Sequence, residues 1–244
     1  MVTRMRCFPE TGLPVPVFED IEMESIEPIE LDHRLAEGWR HFGTRFFRYN
    51  FAFHDGVLCG VLPLRIRLDR FSLSKSQRRL VRRNADVDVR HVPAKHCAEY
   101  DELFERHRTR FVDNVPDSLR DFLSPSPDHV PCTAVASEFR LAGRLVAVSF
   151  LDIGSASASS VYACFDPEFS ERGPGNFSLL VELEYARERG CEHLYLGYAY
   201  TVPSVYDYKL RFAGLEAYDW GHGWIDYPGG FRWSRSAKEL ETAS

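Results

Sequence analysis

The sequence has no metal-binding motif of a conventional kind. Its six cysteines are scattered without a C-x-x-C pair, and its nine histidines form no H-E-x-x-H pattern. Both patterns are typical of zinc sites, so no metal site is predicted. We expect the cysteines to be reduced and mostly buried thiols, as in a cytosolic protein.

Long apolar runs are also missing. No segment approaches the roughly 20 apolar residues of a membrane-spanning helix, and no signal-peptide core is recognisable near residue 1. We therefore expect a cytoplasmic protein with no membrane partner.

The charge balance excludes a generic polycation. The 244 residues carry a net charge of −6, with a sequence pI near 5.9. A hydrophobic fraction of 44% is enough for a substantial core, in one large domain or two small ones. On such an acidic body, a basic patch favours a localised encounter with a polyanion.

The segment 73–90 departs from this background and predicts a short basic helix. Ser74 is a candidate N-cap, and Gln77 completes a capping-box pattern. One side of this helix carries five cations within roughly 140° of arc. We call them the cationic face: Lys75, Arg78, Arg79, Arg82 and Arg83. A solvated surface helix is one interpretation, but the lack of interleaved acids favours a nucleic-acid contact.

Residues 57–68, just before this helix, alternate apolar with polar side chains near their end and predict a strand. Arg65 and Arg67 then share one face of the strand. They are either its solvated side or an extension of the cationic face.

The rest of the chain predicts a mixed α/β protein. Helices are expected at residues 31–40, 98–111 and 177–189, the last with Asn176 as N-cap and Gly190 at its end. His107 lies on an apolar stripe and is interpreted as a core histidine. Strands are expected at residues 132–140, 145–151, 159–165, 194–198, 215–218 and 220–227.

Three strands, a glycine-containing loop, a helix and a further strand follow the order of a GNAT-type acyltransferase core. The expected fold is α/β (α+β) and GNAT-like, with a mostly antiparallel central sheet, flanking helices and an N-terminal extension. We expect an N-terminal region at 1–92 and the acyltransferase domain at 93–244. In GNAT enzymes the loop offers N–H groups to the pyrophosphate of acyl-CoA. Here Pro174 has no N–H and Phe177 would crowd a pyrophosphate, which argues against CoA.

Several motifs resemble the aminoacyl-tRNA–protein transferase family, which comprises the arginyl-tRNA–protein transferases and the bacterial aspartate/glutamate leucyltransferases. They span about residues 31–227 and include Gly38-Trp-Arg-His-Phe-Gly43, Leu62-Pro-Leu-Arg-Ile66, Ser74-Lys-Ser-Gln-Arg-Arg79, Arg83-Asn-Ala-Asp86 and Leu194-Tyr-Leu-Gly-Tyr198. The resemblance implies transfer of arginine or leucine from charged tRNA to the N-terminal α-amine of an acceptor protein or peptide. It makes tRNA the expected partner of the cationic face, and aminoacyl-tRNA a co-substrate with no further cofactor.

The chain departs from the family pattern in two places. The cysteine ladder that holds a metal or iron–sulfur cluster in some members is missing, and Val61 stands where its last cysteine would be. In the segment 197–209, Thr201, Pro203 and Tyr206 occupy the family's His, Cys and Met positions. These changes leave open a changed donor or acceptor, or a loss of activity.

An aminoacyl ester is already activated, so the protein needs mainly to position the substrates, stabilise the oxyanion and return a proton to the ribose oxygen. The backbone around residues 196–198 is a candidate oxyanion donor, and one of Glu182 and Glu184 a candidate base. The catalytic candidates are Tyr198, Tyr206, Tyr208, Lys209 and Glu184, and those for binding an acidic acceptor are Arg45, Arg48 and Arg211. The alternatives are structural: core tyrosines and a solvated glutamate.

Two other functions stay open at this point. One is a tRNA-binding relative that has lost catalysis, and the other is an acyl-CoA-dependent N-acetyltransferase. The donor amino acid, the acceptor and the oligomeric state are not decided by the sequence.

Overall fold

The computed structural model of the chain describes residues 15–111 and 115–227. A small sheet consists of β1 (Phe18–Glu22), β2 (Arg40–Phe42) and β3 (Arg45–Tyr49). The strands of the large sheet are β4 (Phe51–His54), β5 (Val57–Arg67), β6 (Asp88–Pro93), β7 (Ala134–Leu141), β8 (Arg144–Ile153), β9 (Ser157–Phe165), β10 (His193–Tyr200), β11 (Leu215–Asp219) and β12 (Gly223–Asp226). The α-helices are α1 (Pro28–Ala36), α2 (Lys75–Arg83), α3 (Ala98–Arg108) and α4 (Pro174–Glu188).

The large sheet is mostly antiparallel. Its strand order is β12-β11-β5-β10-β9-β8-β7-β6, and β4 pairs with β5 as a hairpin. Strands β9 and β10, which α4 connects, are the parallel pair. The predicted fold class, a mixed and mostly antiparallel sheet flanked by helices, is confirmed.

Helices α3 and α4 cover opposite faces of this sheet. Consecutive residues of β8 alternate between two cores: Phe150 packs in the cluster of Phe104 from α3, and Leu151 in the cluster of Leu183 from α4. Because successive strand residues point to opposite faces, this alternation places one helix on each side. Both faces are therefore buried, which explains why β8 is apolar along most of its length.

Strands β9 and β10 pair only at their start. Residues 157–159 lie opposite residues 193–195, and beyond them β9 follows β8 while β10 follows β5. A bulge between Tyr195 and Gly197 bends β10 at the point of separation. We call the gap beyond Ser159 and Tyr195 the strand opening.

The helix boundaries differ from the predicted ones by a few residues. The predicted helix at 31–40 spans Pro28–Ala36, and the one at 98–111 ends at Arg108. The prediction of Asn176 as the N-cap of α4 is wrong: the helix begins at Pro174, with Gly173 as its N-cap. Proline fits the first helical position because its N–H would have no partner there and its φ is already helical.

The interpretation of His107 as a core residue is confirmed. Its side chain is buried, and Nδ1 lies 3.0 Å from the Phe165 backbone N. Burial lowers the pKa of His107 to about 4, so the ring is neutral near pH 7.

Strands from both sides of the expected boundary between residues 92 and 93 share the large sheet, since β5 lies between β10 and β11.

Among residues 15–111 and 115–227, no helix is long and apolar enough to cross a membrane.

Candidate nucleic-acid interface and active site

Helix α2 begins with the capping box that the sequence predicts. The Ser74 hydroxyl accepts a hydrogen bond from the Gln77 N–H at 3.2 Å, and the Gln77 side chain accepts one from the Ser74 N–H at 2.8 Å. All five side chains of the cationic face are exposed. In the described part of the chain, no carboxylate lies within 4.0 Å of any of them. They are therefore available to an external anion.

The opposite side of α2 rests on the loop before α4. The Asn84 side chain is buried and donates to the carbonyls of Leu80 (3.0 Å) and Arg172 (2.9 Å). Gly173 has a φ of +65°, and a Cβ there would lie 3.0 Å from Leu80 Cδ1. Glycine at 173 therefore permits both the backbone turn and the close approach of α2.

Arg65 and Arg67 have partners within the protein. The Arg65 Nε donates to Glu216 at 2.6 Å, and its guanidinium lies over the ring of Trp224 at 4.4 Å. Arg67 pairs with Asp69 at 2.7 Å. Unlike the cationic face, these two side chains are already neutralised, so their assignment to tRNA stays a prediction with less support.

The three arginines predicted to bind an acidic acceptor lie in different surroundings. Arg45 pairs with Asp20, and Arg48 pairs with Glu19 at 2.5 Å. Arg211 is exposed and lines a surface groove together with Ser74, at the start of α2. The structure does not bring the three together.

The half-buried side chain of Arg40, which sequence reasoning missed, reaches into the strand opening. It donates to the Val161 carbonyl of β9 at 2.7 Å and lies against Gly197 of β10. A Cβ at Gly197 would come 2.4 Å from an Arg40 nitrogen, and the φ there is +73°. A glycine at this position is therefore required for the guanidinium to bridge the two strands.

Lys209 lies on the β10 side of the opening. Its Nζ is buried and donates to the carbonyls of Leu196 (2.7 Å) and Tyr198 (3.3 Å). Burial holds the pKa of Lys209 well below its ordinary value; the charge of Arg40 lowers it further and Glu182 opposes the shift.

Glu182 of α4 is buried beneath the opening, with 1% of its surface exposed. Burial raises its pKa to about 7, although the nearby Ser160 and Ser149 hydroxyls and the charge of Lys209 lower it in part. Neither carboxyl oxygen has a hydrogen-bond partner of normal geometry among the described residues. A buried carboxyl that titrates near neutral pH is suited to general acid–base work.

The prediction that Glu184 lies in the site is wrong. Its side chain is exposed and pairs with Arg187 at 2.7 Å. The helical spacing contains the signal that distinguishes the two glutamates, because Glu182 lies four residues from both Ser178 and Ala186, which are buried.

The predicted tyrosines divide into two groups. The Tyr198 hydroxyl donates to the Gly38 carbonyl at 2.9 Å and so fixes the fold. Tyr208 is half-buried near Glu182, and burial raises its pKa to about 12. The exposed Tyr206 ring lies 5.0 Å from Lys209 Nζ. Tyr206 and Tyr208 therefore adjoin the opening, while the Tyr198 hydroxyl is occupied.

Further buried polar atoms near the opening lack partners among the described residues. Arg40 Nε and the Tyr162 hydroxyl are such atoms, and so is the Ser149 hydroxyl beside Glu182. Buried polar groups almost always have partners in a folded protein. Several of them around one gap are free to bond to water or to a polar ligand there.

The two departures from the family pattern contact each other. Thr201 accepts a hydrogen bond from the Gly60 N–H at 2.8 Å, and its own N–H donates to the Gly60 carbonyl at 2.9 Å. The hairpin of β4 and β5 contains Cys59 as its single cysteine. It therefore does not fit an iron–sulfur cluster, which needs several thiolates.

Comparison with known proteins gives a consistent picture. A family model described as arginine-tRNA-protein transferase, C terminus, matches residues 95–219. An aspartate/glutamate leucyltransferase of Stenotrophomonas maltophilia (strain K279a) is 34% identical over 205 residues, which cover 79% of this chain and 78% of that protein. One of Chromohalobacter salexigens is 36% identical over 193 residues, covering 76% and 75%.

Among solved structures, FemX resembles the chain with a TM-score of 0.45 at 12% sequence identity. The alignment covers 80% of this chain and 66% of FemX.

Proposed function

Since the chain belongs to the arginine-tRNA–protein transferase family, we propose that it transfers leucine from leucyl-tRNA to the N-terminal α-amine of proteins that begin with Asp or Glu. The names of its relatives, aspartate/glutamate leucyltransferases at 34–36% identity over about three quarters of both chains, support this donor and this acceptor. Aminoacyl transfer between tRNA and protein is the family's chemistry, and the choice of leucine over arginine is our proposal.

The observation that carries the proposal is the buried carboxyl of Glu182 under the strand opening, which has no aligned hydrogen-bond partner among the described residues. A pKa of about 7 makes roughly half of it a carboxylate at neutral pH. An acceptor ammonium, which has an ordinary pKa near 8, loses its proton readily to such a group. The match between the two pKa values is what efficient proton transfer requires.

The reaction then proceeds in two steps. Glu182 takes a proton from the acceptor ammonium and releases it to solvent; the neutral amine nitrogen then bonds to the ester carbonyl carbon and gives its next proton to Glu182. The tetrahedral intermediate next breaks the bond to the ribose oxygen, which receives a proton from Glu182 or from Tyr208 beside it. The products are an amide-linked leucine on the acceptor and uncharged tRNA, with no net change in protons on the protein.

Arg40 supplies the positive charge for the developing oxyanion. Its Nε–H has no partner among the described residues, and its guanidinium is fixed by the Val161 carbonyl. A preorganised cation in a water-poor gap stabilises an oxyanion far more than the same cation does in water. Lys209 holds two carbonyls of β10 in place and so keeps β10 apart from β9 at the strand opening.

The cationic face of α2 binds the phosphate backbone of the tRNA. Its cations are exposed and have no carboxylate within 4.0 Å in the described residues. Such contacts supply affinity without reading the base sequence. Acyl-CoA is not a competing donor, because Leu80 lies against Gly173 where a pyrophosphate would need the loop before α4.

A transfer assay with matched acceptors tests the proposal. Labelled leucyl-tRNA and arginyl-tRNA are each incubated with the protein and peptides starting with Asp, Glu or Lys, and with the N-acetylated Asp peptide as a control. We expect leucine on the free Asp and Glu peptides alone. Arginine transfer would overturn the donor assignment, and transfer to no peptide would overturn the proposal.

A further inference from the structure

Three buried side chains from distant parts of the chain meet between the two sheets. They are His41 of β2, Cys132 in the segment before β7 and Asp152 of β8, and each exposes 5% of its surface or less. One ligand atom from each, a ring nitrogen, a thiol sulfur and a carboxylate oxygen, lies within 4.8 Å of the other two. None of the three takes part in the transfer reaction described above.

The contact between His41 and Asp152 needs either a proton or a metal ion between the two atoms. Nε2 of His41 and Oδ2 of Asp152 are 2.8 Å apart, yet Oδ2 has no hydrogen-bond partner of acceptable geometry among the described residues. Nδ1 of the same ring lies 2.9 Å from the Gly43 carbonyl, which needs a proton on Nδ1. In the neutral ring Nε2 is then a lone pair. Two acceptors this close repel each other unless a proton on Nε2 or a metal ion lies between them.

The thiol of Cys132 completes the set. Its sulfur lies 3.9 Å from His41 Nε2, and it also faces Asp152. A proton on the imidazole serves one of these contacts at a time, and by geometry Asp152 Oδ2 has no aligned donor among the described residues. A divalent metal ion binds all three, because it takes a thiolate, an imidazole and a carboxylate together.

We propose that His41, Cys132 and Asp152 bind one zinc ion. Zinc accepts mixed nitrogen, sulfur and oxygen ligands at about 2.0–2.3 Å in tetrahedral geometry, which sets ligand atoms roughly 3.3–3.7 Å apart. The separations of 2.8 Å and 3.9 Å lie on either side of this range. Small side-chain movements therefore suffice, and a water or a backbone carbonyl takes the fourth position.

A metal–histidine geometry is already present around the ring. The hydrogen bond from Nδ1 to a backbone carbonyl fixes the tautomer and the ring plane of metal-bound histidines. In this protein the Gly43 carbonyl accepts that hydrogen bond, and Phe46 stacks on the His41 ring with the ring centroids 4.5 Å apart.

The position of the site gives it a function. His41 is adjacent to Arg40 on the same short strand, and adjacent strand residues point in opposite directions. Zinc bound to His41 ties β2 of the small sheet to β8 of the large sheet. The tie holds Arg40 in the strand opening, so the ion is a structural support for the site rather than a participant in the reaction.

Metal analysis of the purified full chain tests the proposal. The protein is produced in zinc-supplemented medium, desalted and analysed for zinc by mass spectrometry. We expect about one zinc per chain in the wild type and a loss to background in Cys132→Ser. The matched control is Cys164→Ser, which changes a fully buried cysteine outside the cluster and is expected to keep its zinc.

Replacement of zinc by cobalt(II) in the wild type tests the proposal even if the Cys132→Ser variant fails to fold. The wild type should then show a thiolate-to-cobalt charge-transfer band together with the visible bands of tetrahedral cobalt, because the proposal requires one cysteine ligand. Zinc-free wild type without a cobalt spectrum would overturn the proposal, and so would a Cys132→Ser variant that keeps a full zinc equivalent. Neither readout depends on leucine transfer, so the zinc site and the proposed function fail independently.

Discussion

The cationic face of α2 and the strand opening carry the same kinds of charged group in opposite surroundings. The side chains of the face are exposed and free of carboxylate partners in the described residues. In the opening, Lys209 and Glu182 are buried. Burial lowers the pKa of Lys209 and raises that of Glu182, so it favours the neutral form of both side chains. The contrast separates the surface proposed to bind tRNA from the gap proposed to hold the reaction.

Solvent explains the difference. Charges in water act on a polyanion at a distance, with an effect that salt reduces. Charges removed from water lose solvation, and their protonation then depends on neighbours within a few ångströms. We therefore expect changes in α2 to alter tRNA affinity and changes in the opening to alter the rate of transfer.

The largest expected effect follows from Glu182→Gln. The amide cannot accept the proton of the acceptor amine, so kcat should fall by roughly 10²–10⁴-fold, the range for losing a general base. The affinity for leucyl-tRNA should stay within about threefold. Single-turnover transfer at saturating tRNA measures the first quantity, and filter binding the second.

The matched control for this substitution is Glu184→Gln, two residues away on the surface of α4. It removes the same charge and should leave the transfer rate unchanged. Equal rates for the two variants would remove the distinction between the buried and the exposed glutamate.

Reversing four charges of the cationic face should have the next largest effect. The substitutions Arg78→Glu, Arg79→Glu, Arg82→Glu and Arg83→Glu together should weaken tRNA binding on the order of 10²-fold and flatten its dependence on salt. At saturating tRNA, kcat should change little. Binding titrations between low and moderate salt measure both effects.

A control with the same change in net charge uses four ion-paired surface arginines: Arg34→Glu, Arg90→Glu, Arg108→Glu and Arg187→Glu. Its binding should fall much less, because exposed ion pairs contribute little to stability and these cations lie outside the face. An equal loss in both variants would show that only total charge matters.

The pH dependence of transfer should be smaller but diagnostic. With the pKa of Glu182 at about 7, kcat/KM should rise more steeply with pH below that value than above it, because Glu182 and the acceptor amine, whose pKa is near 8, must both lose a proton. In Glu182→Gln only the limb of the acceptor amine should remain. A wild-type profile that stays flat between about pH 5.5 and 8, an interval around the pKa of Glu182, would contradict the assignment of Glu182 as the base.

The smallest expected effect concerns stability. The pKa of Glu182 is raised from 4.5 to about 7 in the folded protein, so the folded state holds this proton more tightly than the unfolded chain does. Stability is therefore lost as pH rises from 4.5 toward 7. Glutamine avoids this loss of about 3 kcal/mol.

Thermal unfolding at two pH values measures the effect. The melting temperature of Glu182→Gln relative to wild type should be a few degrees higher at pH 8 than at pH 5. A constant difference would mean that Glu182 does not titrate in this interval.

The elements that sequence patterns predicted well are those with local signals. Helix α2 was predicted because Ser74 and Gln77 form its capping box within a few residues. The start of α4 was misplaced because Asn176 is a good N-cap by type, whereas Pro174 and the left-handed Gly173 set the actual start. The packing of Leu80 against Gly173 outweighs the N-cap preference of asparagine at this position.

The candidate site is harder to predict because its parts come from distant elements. Lys209, Tyr206 and Tyr208 are candidates through the family segment, while Arg40 enters from β2 and donates to the carbonyl of Val161, 121 positions away. His41 and Cys132 are 91 positions apart. No spacing rule joins such residues, since only the folded sheets bring them together.

The central position of β5 has a consequence for how the chain folds. This strand spans Val57–Arg67; besides its hairpin with β4, it pairs with β10 at His193–Tyr200 and β11 at Leu215–Asp219. During synthesis the pairing of β5 with β10 and β11 therefore waits for more than half of the chain. Contacts of such long range make folding slow, because the loop between them is closed before the pairing stabilises it. The strand opening, bounded by β10, is accordingly among the last parts of the molecule to assemble, and chaperone binding should concentrate on chains halted before residue 193.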